Sequence, residues 1–205
     1  MLPPVYLLVG ILTYWPVRLL FRLRWTGLEH VPLEGGGVLA ANHVSNLDPW
    51  AIGIPFFPRR ALRFMGKSEL FWFPLGPLLR GAGAFPVRRG QGDTEAIETA
   101  AELCRSGELV MMFPEGTRRK KGLRKKWQAR PRTGAARIAL EAGVPLVPAA
   151  ISGTDRVARL GPLRVAYGAP VELDDLRARD DLREAAQEAT DRLMAAIQAL
   201  EARLG

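Results

Sequence analysis

The chain has little of what disulfide scaffolds and metal sites require. Among 205 residues there is one cysteine, Cys104, and there are two histidines, His30 and His43. One cysteine excludes an intramolecular disulfide framework and fits a reducing compartment. So few histidines and cysteines resemble no zinc site, and no resident metal is expected. Acid is scarce as well: 21 Asp and Glu stand against 29 Lys and Arg, for a net charge of +8. That balance favours anionic partners such as phosphates or an acidic membrane surface. Nucleic acid would fit the charge too, but no repeat and no DNA- or RNA-binding signature accompanies it, so none is expected as a partner.

A clean apolar run of membrane-spanning length is also missing. The most apolar stretch, residues 5–21, contains Pro16 and Arg18. They leave about a dozen uninterrupted apolar residues where roughly 20 are needed. No basic residue precedes the stretch and no small-residue cleavage site follows, so it does not read as a signal peptide. Tyr14, Trp15 and Trp25 lie among Arg18, Arg22 and Arg24, a mixture suited to the headgroup layer. Residues 1–22 are therefore expected to contact a membrane without crossing it. An ordinary buried helix is the plainer alternative.

What is present is a 48% apolar chain, enough for one sizeable core. Short apolar runs predict strands at 23–27, 37–42, 62–66, 83–89, 108–113, 144–153 and 163–167, with a short last one at 171–173. Helical signals start at Pro49, run from Asp93 to Arg105 and from Thr133 to Gly143, and cover Asp174 to Leu204 with a break near Asp180. In the second of these, Ala96, Ile97, Ala100, Leu103 and Cys104 share one face, which makes Cys104 a core filler rather than a nucleophile. In the last, Leu182, Ala186, Ala189, Leu193, Ile197, Leu200 and Leu204 form a packing stripe. Residues 70–79 are apolar and aromatic, and suit either a lipid-lining surface or the core. Strands alternating with helices predict a single α/β domain with a mostly parallel central sheet flanked by helices. Such sheets carry their sites beyond the carboxyl ends of the strands, where His43, Arg89 and Glu115 fall.

Chemistry concentrates in Asn42-His43-Val44-Ser45-Asn46-Leu47-Asp48-Pro49. His43 ends a strand of small apolar residues, and Asp48, before a proline, suits a helix N-cap. The turn between them lets the imidazole fold back on the carboxylate. A neutral imidazole oriented by a carboxylate takes a proton from a hydroxyl. Ser45 reads as a turn residue. A second turn, Phe113-Pro114-Glu115-Gly116-Thr117-Arg118, follows another buried strand. Between Arg118 and Arg132 stand nine basic residues, no acidic one, and Trp127. Such a run is expected at an anionic membrane, where each basic residue adds about 1 kcal/mol.

Four blocks in this order resemble the glycerolipid acyltransferase family, the lysophosphatidic acid (1-acyl-glycerol-3-phosphate) acyltransferases. They are Asn42 to Asp48, Gly83 to Arg89, Phe113 to Arg118, and Val144 to Gly153 with Pro148. Three features depart from the family pattern. Arg88 stands where an acidic residue is common, Arg119 stands where serine is common, and the single apolar segment is shorter than the membrane-binding parts of relatives. The resemblance implies an acyltransferase domain over 23–205. It would move a fatty acyl group from acyl-CoA or acyl carrier protein to the 2-hydroxyl of lysophosphatidic acid, making phosphatidic acid without an acyl-enzyme. His43 would be the general base and Asp48 its partner. Arg89, Arg118 and Lys67 would bind the substrate phosphate, and Glu115, Gly116, Asn42 and Pro148 would support the site. Backbone amides around Glu115 and Gly116 are candidates for the oxyanion. The thioester is a co-substrate and no cofactor is implied. The expected location is the cytoplasmic face of the membrane, peripheral or monotopic. Acylation of another lysolipid, hydrolysis by the same pair, and a basic membrane-binding protein without catalysis are the alternative readings.

Overall fold

The computed structural model describes residues 2–87, 94–116 and 131–204. Its strands are β1 (Arg24–Thr26), β2 (Gly37–Ala41), β3 (Leu62–Lys67), β4 (Ala84–Val87), β5 (Leu109–Met112), β6 (Leu146–Ser152) and β7 (Arg164–Tyr167). They form one seven-stranded sheet in the order β1-β7-β6-β2-β5-β3-β4. Neighbours are parallel except β6 and β7, so β7 and β1 run against the other five. The fold is a single α/β domain with a mostly parallel sheet, as the alternation of elements predicts. The reversal at β7 is not visible in the sequence.

β2 lies at the centre, between β5 and β6, and every residue in it is buried. A strand covered on both faces reads as an uninterrupted apolar run, which is what Gly37 to Ala41 is. Its side chains alternate between two cores. Val38 and Ala40 pack with α4 (Thr94–Arg105), α5 (Gly134–Ala142) and α7 (Leu182–Leu204). Leu39 and Ala41 pack with α2 (Asp48–Gly53) and with Val17 of α1 (Pro4–Leu20). α3 (Leu75–Gly81) leads into β4, and α6 (Asp174–Arg177) precedes α7. Gly143, in the left-handed region at φ 66°, ends α5. Cys104 is buried on α4, and burial pushes its thiol up to about 11, consistent with a filler rather than a nucleophile.

Several expectations change. Residues 171–173 form no strand: Val171 makes one ladder-like bond, N–H to the Leu146 carbonyl at 2.8 Å. Leu182, the first residue of α7, is exposed, while Ala186, Ala189, Leu193, Ile197 and Leu200 are buried. α1 continues through Pro16, which sits on its exposed side. One backbone bond, to Leu12, is lost there without ending the helix.

α1 is packed on its inner side. A side chain at Gly10 would collide with Phe57, and one at Gly81 of α3 with Val5. Tyr6 Oη accepts from Leu62 N–H at 3.1 Å, and Trp50 Nε1–H donates to Thr13 Oγ1 at 3.1 Å. The outer side is different: Leu8, Ile11, Leu12, Trp15 and Leu19 are all exposed. Their spacing of three and four places them on one stripe. No helix among the described residues is long and apolar enough to cross a membrane.

The opposite end of the sheet is closed by Arg60. Its guanidinium is buried and donates to the carbonyls of Pro32, Gly35 and Gly107 (the last at 3.1 Å), tying together the loops that enter β2 and β5. Desolvation makes its proton less tightly held than usual, with Glu108 opposing that effect. Arg60→Met would fill the space but leave three carbonyls without their donor. We expect a loss of roughly 3 kcal/mol, read as a lower urea midpoint at unchanged slope. An unchanged midpoint would show that the loops hold without the clamp.

Candidate active site

Where β2 ends, Asn42 takes over the pairing with its side chain. Its Nδ2–H donates to the Ile151 carbonyl at 3.0 Å and its Oδ1 accepts from Ile151 N–H at 2.8 Å. This two-way bond continues the β2–β6 association past the last backbone pair, Ala41 opposite Ala149. It also lets the chain leave the sheet at His43.

The loop then folds back on itself. His43 Nδ1 lies 2.8 Å from Asp48 Oδ2. The same oxygen accepts from Val44 N–H at 2.7 Å and Ser45 N–H at 2.8 Å. The other oxygen, Oδ1, accepts from the Thr154 hydroxyl at 2.5 Å. Asp48 has no exposed surface, whereas the His43 side chain keeps 16% of its own. Asp48 thus does not cap α2 as its position before a proline suggests. It is the first residue of that helix, Leu47 occupies the cap position without a side-chain cap bond, and the carboxylate turns back to the preceding loop. The amides of the tight loop reach it more readily than those of its own helix.

A carboxylate only accepts, so His43 Nδ1 donates to it and the Nε2 lone pair is left for another proton. The imidazole is stacked on Phe113, with ring centroids 3.9 Å apart and planes 18° apart. Phe113 is the first residue beyond β5, the strand beside β2. It was legible only as the start of the second motif, and its contact with His43 depends on the pairing of two strands far apart in sequence. Together the carboxylate and the ring fix the position and plane of the imidazole.

The turn after β5 is closed by Gly116 N–H donating to the Phe113 carbonyl at 3.0 Å. Gly116 has φ 67°, and a Cβ there would stand 2.7 Å from Arg132 Nε. Both conformation and space call for glycine. Arg132 N–H donates to the Pro114 carbonyl at 2.7 Å, so the chain returns to this turn after residues 117–130. Glu115 lies half-buried within the turn. Lys67 is exposed at the end of β3, opposite Val87 of β4, and β3 runs beside β5 in the same direction. Arg89 and Arg118 lie outside the described residues, as does most of the basic run, Trp127 included.

Pro148 is buried in β6, opposite Ala40, inside the sheet rather than at its mouth. A proline inside a sheet removes a ladder donor. Here its carbonyl accepts from Gly168 N–H at 2.8 Å, on the side where the β6–β7 ladder ends at Ala149 and Tyr167. Carbonyl and nitrogen of one strand residue face the same side, so the missing N–H leaves the β2 pairing intact. The sequence-predicted residues that come together here are thus Asn42, His43 and Asp48, with the Phe113–Gly116 turn against the imidazole. Thr154 completes the group and carries no motif of its own.

A family model described as Acyltransferase matches residues 22–152. The 1-acyl-sn-glycerol-3-phosphate acyltransferase of Bacillus subtilis (strain 168) is 33% identical over 153 residues, 72% of this chain and 72% of that protein. A chloroplastic 1-acyl-sn-glycerol-3-phosphate acyltransferase of Arabidopsis thaliana is 28% identical over 145 residues, 69% of this chain but only 39% of its own length. The crystal structure of the 1-acyl-sn-glycerophosphate acyltransferase PlsC from Thermotoga maritima superimposes with a TM-score of 0.65, covering 96% of this chain and 77% of that one at 23% identity, which shows a common fold. With the family match running from β1 to the end of β6 and enclosing the His43–Asp48 pair, the chain belongs to the acyltransferase family.

Proposed function

We propose that the protein transfers a fatty acyl group from an acyl thioester, acyl-CoA or acyl carrier protein, to the 2-hydroxyl of 1-acyl-glycerol-3-phosphate, yielding phosphatidic acid. The observation that carries this reading is the buried Asp48 carboxylate on His43 Nδ1, which leaves Nε2 as a base at the mouth of the sheet. Nε2 removes the hydroxyl proton as the oxygen attacks the thioester carbonyl, and Asp48 stabilises the imidazolium. The tetrahedral intermediate collapses, the C–S bond breaks, and the imidazolium returns the proton to the departing thiolate. Oxygen attacks carbon directly, so no serine or cysteine nucleophile is involved. Arg118 and Arg89, which suit a phosphate in bidentate fashion, hold the acceptor together with Lys67. Glu115 orients one of these cations or the glycerol.

The same reading puts the protein on the cytoplasmic face of an anionic membrane, attached without spanning. Support comes from the outer stripe of α1 and from its neighbour α3, where the loop and helix from Leu70 to Leu78 expose Leu70, Trp72, Phe73 (84% exposed) and Leu78. The net charge of +8 adds attraction to anionic headgroups.

The direct test is product analysis with lysophosphatidate and an acyl thioester. A transferase gives phosphatidate and little free fatty acid; hydrolysis gives the reverse, and no thiol release at all would leave only a binding role. Asp48→Asn should lower turnover by about 10²–10⁴-fold, because it removes the charge that supports the imidazolium. Turnover within a few-fold of wild type would remove Asp48 from the mechanism. Arg118→Ala should lower kcat/KM for lysophosphatidate by roughly 10- to 150-fold, and much less for monoacylglycerol. An equal proportional loss on both acceptors would end the phosphate assignment.

Membrane attachment is tested on the outer stripe, since removing α1 altogether would also remove Val17 from the core. Trp15→Ser with Phe73→Ser should lower binding to phosphatidylglycerol vesicles by at least about 10-fold, given roughly 1.5–3 kcal/mol for each large apolar side chain buried. Raised salt should weaken binding further, since exposed charges are screened over about 10 Å at 0.1 M. Binding indifferent to both changes would contradict the proposed surface.

A further inference from the structure

Asp48 divides its hydrogen bonds unequally. Oδ2 accepts from His43 and from the Val44 and Ser45 amides, while the bond recorded for Oδ1 among the described residues comes from Thr154. Thr154 is itself buried, 106 residues away in sequence, at the first position of the 3-10 turn that follows β6. Two features hold it there. The Asn42–Ile151 clamp ties the end of β6 to the start of the His43 loop. Gly153 has φ 92°, and a Cβ on it would stand 2.2 Å from the Pro162 carbonyl oxygen, so the turn fits tightly against the chain that enters β7.

We propose that Thr154 is a positioning residue for the His43–Asp48 pair: its hydroxyl locks the carboxylate against rotation, so that Oδ2 stays on Nδ1 and Nε2 stays aimed at the acceptor hydroxyl. This rests on the catalytic reading of the pair given above. The hydroxyl is obliged to donate, because an ionised carboxylate offers no proton. The branched side chain has a stiff χ1, so the hydroxyl is held by packing as well as by its bond. Without it Oδ1 would be a buried carboxylate oxygen with no donor. The group would then rotate to share the two loop amides between its oxygens, and the histidine bond would be lost or bent.

The test compares Thr154→Val, which keeps the shape, with Thr154→Ser, which keeps the hydroxyl. Val should lower kcat on the order of 10- to 100-fold with little change in KM, the range of a hydrogen bond to a charged group. Ser should restore most of kcat. A second readout does not depend on the reaction. The His43 Nδ1–H proton, bonded to a buried carboxylate, should give a downfield proton resonance in wild type and Ser, broadened or lost in Val. His30, the other histidine, is exposed and exchanges with water. A folded Val variant with wild-type kcat and an intact resonance overturns the proposal, and so does a folded Ser variant that loses both. If Val does not fold, the Ser result alone decides. If wild type proves inactive on lysophosphatidate while the resonance follows the hydroxyl, the proposed reaction fails and the positioning role stands.

Discussion

Asp48 carries a carboxylate with no exposed surface, and hydrogen bonds from His43, Val44, Ser45 and Thr154 hold it in place. A buried charge without such partners would cost several kcal/mol, so the surrounding chain is constrained to supply them. The loop after β2 must be tight enough to turn two amides inward. The end of β6 must lie beside it, or the hydroxyl would not reach. The second condition depends on β2 and β6 being neighbours and on Asn42 extending their pairing by one more residue.

The same geometry explains why the site sits at this end of the strands. β2 and β5 run in parallel, so the residues that follow them emerge side by side. One supplies His43, the proposed base, and the other supplies the ring stacked on it. The Gly116 turn closes on Phe113, and Arg132 is bonded back to it through the Pro114 carbonyl. At the other end of the strands Arg60 gathers three loop carbonyls. Chemistry and structural closure are thus kept at opposite ends of the strands, as is usual for open α/β sheets.

Much of this was legible in the residues because local pattern and global role coincide. The buried strands read as apolar runs, the break between α6 and α7 fell near Asp180, and the His–Asp spacing marked the loop. What was not legible depends on distant parts of the chain meeting. Thr154 carries no motif, since a lone threonine after a strand looks like any turn residue. Phe113 and His43 are brought together by strand order alone. The helix-cap reading of Asp48 went astray because the local rule for Asp-Pro was overridden by amides only the folded loop presents. Pro16 interrupts the apolar run, yet on the outer side of α1 it does not end the helix. The reversal of β7 left no trace, because a short, mostly buried strand reads the same in either direction.

The account rests on His43 acting as the base, and the rate of phosphatidate formation by His43→Ala measures that directly. The variant should keep the wild-type circular dichroism spectrum, because losing the imidazole removes its stack on Phe113 and one donor to Asp48 but leaves Asp48 its Val44, Ser45 and Thr154 donors. With acyl-CoA and lysophosphatidate saturating, its turnover should fall by about 10²–10⁴-fold. A folded His43→Ala protein that makes phosphatidate at a near-normal rate would contradict the account, and the chemistry would have to be sought elsewhere on the molecule.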